Sequence, residues 1–135
     1  MIRPELTLRL PNSPGALAGI CRLLSDEHVN IVALSLESSG RLRMVVDNPV
    51  RATGALTAHR HQVAQQEVLL VSIGNQPGAV APLLALVADA GVNVNYVYGA
   101  AAEGTAAAGI VIGGEGALGA SSLVGVWTED ERKLC

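Results

Sequence analysis

Residues 12–20 read NSPGALAGI, and residues 75–83 read NQPGAVAPL. Asn, Pro, Gly and Ala recur at the same places in both. The match extends outward at a constant offset of 63 residues. Leu10 falls on Ile73, Ala18 on Ala81, Leu23 on Leu86, Val29 on Val92, Asn30 on Asn93 and Ile31 on Val94. The chain therefore reads as two copies of one unit of about 63 residues, a size that is marginal for independent stability, so the copies are expected to pack together.

Within the first copy, Glu5 to Leu10 alternates with Leu6, Leu8 and Leu10 on one face, the period of a strand. Leu17, Ile20, Cys21 and Leu24 follow helical spacing over residues 14–26, with Pro14 at the first helical position and Ser13 as its cap. His28 is expected at the helix end, where Gly91 stands in copy two. Val29 to Leu36 and Arg41 to Val46 read as strands flanking a Ser-Ser-Gly turn. Asn48-Pro49 opens a helix running to about His59, and His61 to Gln66 is a short fourth strand, followed at once by Val68 to Ile73 as the first strand of copy two. The order is βαββαβ, the ferredoxin-like unit. Copy two repeats a helix with the stripe Val80, Leu83, Leu84 and Val87, a strand over 92–98 and another over 106–112. Beyond Ile112 the match fails; a helix over 115–123 and a stunted strand over 124–128 are expected. The fold class is α+β: two tandem ferredoxin-like units, residues 1–66 and 67–128, side by side in an extended antiparallel sheet with helices on one face, and a tail over 129–135.

Composition narrows the function. Half of the residues are hydrophobic, and 9 basic against 12 acidic residues leave a net charge of -3. Nucleic acid and anionic membranes call for a basic face, and base stacking calls for aromatics; there is no Phe and one Trp. No signal peptide or membrane span is legible, and Cys21 and Cys135 make no disulfide framework, Cys21 reading as a buried thiol; a cytoplasmic location is expected. His28, His59 and His61 have no partners at metal-ligand spacing, and no nucleophile or phosphate-binding motif is present, so no enzyme activity, metal or cofactor is expected.

The Asn-X-Pro-Gly-Ala turn reads instead as half of a binding site. Helix N-termini carry N–H groups without intrahelical partners and partial positive charge, which favours a carboxylate. Pro14 donates nothing, so Gly15, Ala16 and Leu17 carry the donors. Gly15 and Ala16 leave the backbone approachable, and Asn12 adds a donor and an acceptor.

These motifs, LxNxPGALAxIxxLLSxxxVNI and IGNQPGAVAPLLALVADAGVNVNYVY, resemble the ACT domain family as a tandem pair, over residues 5 to about 112. The resemblance implies regulatory binding of an amino acid between units, with no catalysis. Carried onto this chain, one pocket would use Asn12, Ser13, Gly15, Ala16 and Leu17 with Asn93 and Asn95. The other would use Asn75, Gln76, Gly78, Ala79 and Val80 with Asn30. The Gly15 pocket is expected to be the better one, having Ser13 as cap and two partner asparagines. Tyr96 and Tyr98 either line a pocket or fill the open face of the sheet. The expected partners are a small-molecule ligand, a second copy in a homodimer, with Val32, Val97 and Tyr98 as apolar contacts, and a regulated enzyme or transcription factor. The alternative is an assembly module without a ligand.

Overall fold

A computed structural model describes residues Met1–Glu115. The expected helix over 115–123 places its first residue in what is a strand, and its remainder, with the strand over 124–128 and the tail, lies outside the described residues. Two compact units are present: Pro4–Gln66, here the N-terminal unit, and the described residues from Glu67 onward together with Met1–Arg3, the C-terminal unit.

The N-terminal unit is built from β1 (Ile2–Arg9), α1 (Ala16–Asp26), β2 (Ile31–Leu36), β3 (Arg41–Val46) and α2 (Pro49–Ala58), and it closes with the start of β4 (Ala64–Gly74). Its sheet runs β2-β3-β1, all antiparallel, with Leu6 opposite Met44 and Leu8 opposite Leu42. That register puts Leu6, Leu8, Leu42, Met44 and Val46 on the face that α1 and α2 cover with Ile20, Leu24, Ala52 and Leu56. Each of these side chains larger than alanine contributes about 1.5–3 kcal/mol on removal from water. Cys21 and Leu17, expected in the buried stripe, are only half-buried at its margin.

The C-terminal unit contains the rest of β4, then α3 (Val80–Asp89), β5 (Asn93–Ala100) and β6 (Ala107–Glu115), in the order β4-β6-β5. Leu69, Val71, Ile73 and Ile112 meet Leu83 and Val87 in its core. Val80 and Leu84, also expected in the helix stripe, are exposed at 43% and 36%. Met1 completes this unit: its carbonyl accepts from the Leu70 N–H at 2.9 Å, and Ile2 packs against the core.

The separate strands expected over 61–66 and 68–73 are one strand, β4. No glycine, proline or turn pair interrupts Ala64 to Ile73, so nothing stops the ladder where the copies join.

The three helices among the described residues end in the same way. His28, Arg60 and Gly91 take φ of 57°, 68° and 76°, and the following N–H reaches back five residues in Val29 to Leu24, His61 to Leu56 and Val92 to Val87. This is the Schellman end, which glycine favours and which His28 and Arg60, in the described helices, adopt against their steric preference.

β2 and β5 each carry a bulge at the same repeat position. Val32 is the extra residue between the Ile31–Val46 and Ala33–Val45 pairs, and Asn95 between Val94–Gly114 and Tyr96–Gly113. Bulges redirect one side chain and deepen the local twist. Tyr96 and Tyr98 lie on the face away from the helix, opposite Gly113 and Val111, with ring centroids 6.3 Å apart.

Candidate functional site: the repeated Pro-Gly turn

The turn is not the helix start that Pro14 suggests. Ser13 accepts from the Ala16 N–H at 3.3 Å, with Pro14 and Gly15 between and Gly15 at φ 84°. Proline followed by a left-handed residue is a type II turn. Copy two repeats it: Ala79 donates to Gln76 at 3.3 Å and Gly78 has φ 83°. α1 begins only at Ala16, and neither helix has a side-chain cap, so the capping role given to Ser13 is corrected. The physical reason is position: the turn that the Ser13 carbonyl closes puts Ser13 two residues ahead of the N-cap, Gly15, so its hydroxyl does not stand at the helix start. Asn48 does cap α2, accepting from the Arg51 N–H at 3.1 Å.

The donors shift accordingly. The Ala16 N–H is taken by Ser13, leaving Leu17 and Ala18 in the first helical turn before the Gly19 N–H bonds to Gly15. A Cβ on Gly15 or Gly78 would meet nothing within 4 Å. Glycine is there for its left-handed backbone, not for space.

In the N-terminal unit the turn borders a cavity of about 150 Å³, lined by Asn12, Ser13, Gly15, Ala16 and Leu17 on one side and by Leu36, Glu37, Ser38 and Gly40 on the other. The β1–β3 register draws the second wall in: Arg9 faces Arg41, and the Leu10 N–H donates to the Gly40 carbonyl at 2.8 Å. Glu37 is ion-paired to Arg43. Sequence reasoning missed Glu37 and Ser38. Their signal was the Ser-Ser-Gly turn of the β2–β3 hairpin, which the antiparallel pairing of β3 with β1 carries back to the end of β1.

Asn30 stands apart from that cavity's lining. Its backbone is bridged to Asp47, its N–H donating to Oδ1 at 2.9 Å and its carbonyl accepting from the Asp47 N–H at 3.0 Å. In the C-terminal unit Asn75 is engaged by its own loop: Nδ2 donates to Thr105 O at 3.0 Å and Ala102 O at 3.4 Å. The Gln76 side chain folds against Gly74, Ala79 is half-buried beside the core and Val80 is exposed. Asn93 and Asn95 are exposed at the start of β5, Asn95 in the bulge.

A family model described as an ACT domain pair matches residues 1–113. The chain belongs to the ACT domain family. No curated protein matches it. Among solved structures, the ACT pair is similar to protein BT0572 from Bacteroides thetaiotaomicron, at 28% identity and TM-score 0.81, covering 97% of this chain and 90% of that one. It also shares its fold with the regulatory subunit of aspartate kinase from Thermus thermophilus, at 18% identity, TM-score 0.65, and 83% and 84% coverage. E. coli aspartokinase III, solved in complex with lysine and aspartate, matches at 17% identity and TM-score 0.55, over 84% of this chain and 28% of that enzyme. ACT domains are regulatory rather than catalytic modules. Among the described residues of this ACT pair no cluster of three His, Cys, Asp or Glu side chains could hold a metal, and no helix is long and apolar enough to cross a membrane.

Proposed function

We propose that this ACT pair is a regulatory module that binds a small α-amino acid at the Gly15 turn and has no catalysis of its own. The observation that carries the reading is the composition of the cavity walls. One wall is the start of α1, whose Leu17 and Ala18 N–H groups and helix dipole favour a carboxylate. The other carries Glu37, whose Oε1 is paired to Arg43 and whose Oε2 is a fitting partner for an ammonium group, with Ser38 beside it. Asn12 supplies a donor and an acceptor at the rim. About 150 Å³ is well below the several hundred of a drug-sized pocket, which suits a ligand the size of alanine, serine or aspartate. The Gly78 turn is the weaker candidate because Asn75, the counterpart of Asn12, is already committed to its loop. Asn93, Asn95 and Asn30 stay assigned as partner residues on the strength of the family resemblance. The module acts in the cytoplasm as a homodimer, on an enzyme or transcription factor that reads the bound state.

The test is a thermal-shift screen of the common amino acids. A ligand at about 100 times its dissociation constant adds roughly 2.7 kcal/mol, a rise of several degrees. A flat response at millimolar concentration across the panel would leave the assembly reading in its place.

A further inference from the structure

The N-terminal unit has a larger cleft of about 500 Å³ at the junction between α2 and β4, lined by Thr7, Arg9, Arg41, Arg60, His61 and Gln62 among others. It shares no lining residue with the cavity at Gly15. We propose that this cleft is a second ligand site, for a small dianion.

Three observations converge on it. Arg9 and Arg41 are directly opposite each other in the antiparallel β1–β3 ladder. Like charges at such a pair repel, and sheets ordinarily avoid the arrangement. Arg60 then adds a third guanidinium from a left-handed backbone position that glycine would occupy without strain. A bulky side chain held in that conformation is a cost the fold would shed if the side chain did nothing. Finally, no carboxylate lines the cleft, and among the described residues none forms an ion pair with Arg9, Arg41 or Arg60. Arg9 is oriented by its Nη1 bond to Ser39 O at 3.2 Å, which leaves its other N–H groups for a ligand.

The charge sets the ligand class. Three guanidinium groups exceed the single charge of one carboxylate. They match a phosphate monoester, which takes two parallel hydrogen bonds from each arginine fork, or a dicarboxylate. A nucleic acid is disfavoured by the net charge of -3 and by the scarcity of aromatic side chains. Thr7 and Gln62 supply neutral hydrogen-bonding groups for the uncharged part of such a molecule.

Calorimetric titration of the intact protein with inorganic phosphate and, separately, with succinate at low salt tests the assignment and separates the two sources of dianion. Binding of either one is expected, weakening as salt is raised. Arg9→Gln and Arg41→Gln should each weaken it about tenfold, the loss of one charge-assisted contact. Arg60→Gly, which keeps the left-handed turn, should weaken it similarly. Without anion, the melting temperature of the Arg9 and Arg41 variants should not fall, because each removes one of two opposed like charges. Absence of binding by both anions, or binding that survives Arg9→Gln and Arg41→Gln unchanged, overturns the proposal. So does a binding loss found only in variants that melt below the parent.

Discussion

Leu10 and Gly40 are joined backbone to backbone, so closely that Gly40 has no room for a side chain. The Leu10 N–H bonds to Gly40, and a Cβ on Gly40 would run into the Leu10 carbonyl oxygen, with Gly40 at φ 90°. This contact holds the two walls of the Gly15 cavity together. Gly40→Ala should therefore cost about 2–4 kcal/mol, combining backbone strain with a clash against main chain. Gly15→Ala meets no atom and carries only the left-handed penalty of about 1–2 kcal/mol. Urea unfolding of the two variants checks the ranking, and equal losses would mean the walls are not locked.

Asn12 and Asn75 occupy the same repeat position and should behave differently. Asn75→Ala removes two bonds to the 102–105 loop and should lower stability by about 1 kcal/mol. Asn12→Ala should leave stability within about 0.5 kcal/mol and weaken amino-acid binding severalfold. Paired melting and titration of both variants decides it; a stability loss at Asn12 with unchanged binding contradicts the assignment.

Val32, Leu34 and Leu36 are exposed at 46%, 41% and 44% along β2, which among the described residues pairs on one side only. An apolar edge strand invites pairing with another chain. The homodimer proposed above should form through it, and Leu34→Lys should shift the mass in light scattering towards one 13.8 kDa chain. A parent protein that already scatters as one chain at micromolar concentration refutes this.

Gly113 lies under Tyr96: a Cβ there would enter the ring. Gly113→Ala should displace the tyrosine, at about 1–3 kcal/mol for overpacking, and alter the near-ultraviolet circular dichroism of the Tyr96–Tyr98 pair. An unchanged spectrum would show that the ring moves without cost.

Much of this was legible in the residues. The repeat at offset 63 carried the family, the Leu6-Leu8-Leu10 alternation carried the core face, and His28 and Gly91 carried the helix ends. What failed had local causes. Pro14 allowed two readings, helix start or turn, and the glycine after it decides for the turn. The bulges at Val32 and Asn95 leave no trace in a strand pattern, because one extra residue in an apolar run looks like more strand. Val80 and Leu84 have helical spacing but sit beyond the sheet's cover, and periodicity reports a stripe without its width. Glu37 reaches the cavity through strand register, a long-range fact.

The Met1–Leu70 pairing has a consequence for the order of events during synthesis. These residues are 69 positions apart. Met1 to Arg3 are made before the N-terminal unit, yet belong to a unit whose other strands and helix are made after it. The chain must have been made at least to Leu70 before that edge of the C-terminal unit can close. Until then β1 has its body settled and its leading end waiting. Contacts of such sequence separation slow folding, so assembly of the C-terminal unit is expected to lag behind translation rather than accompany it.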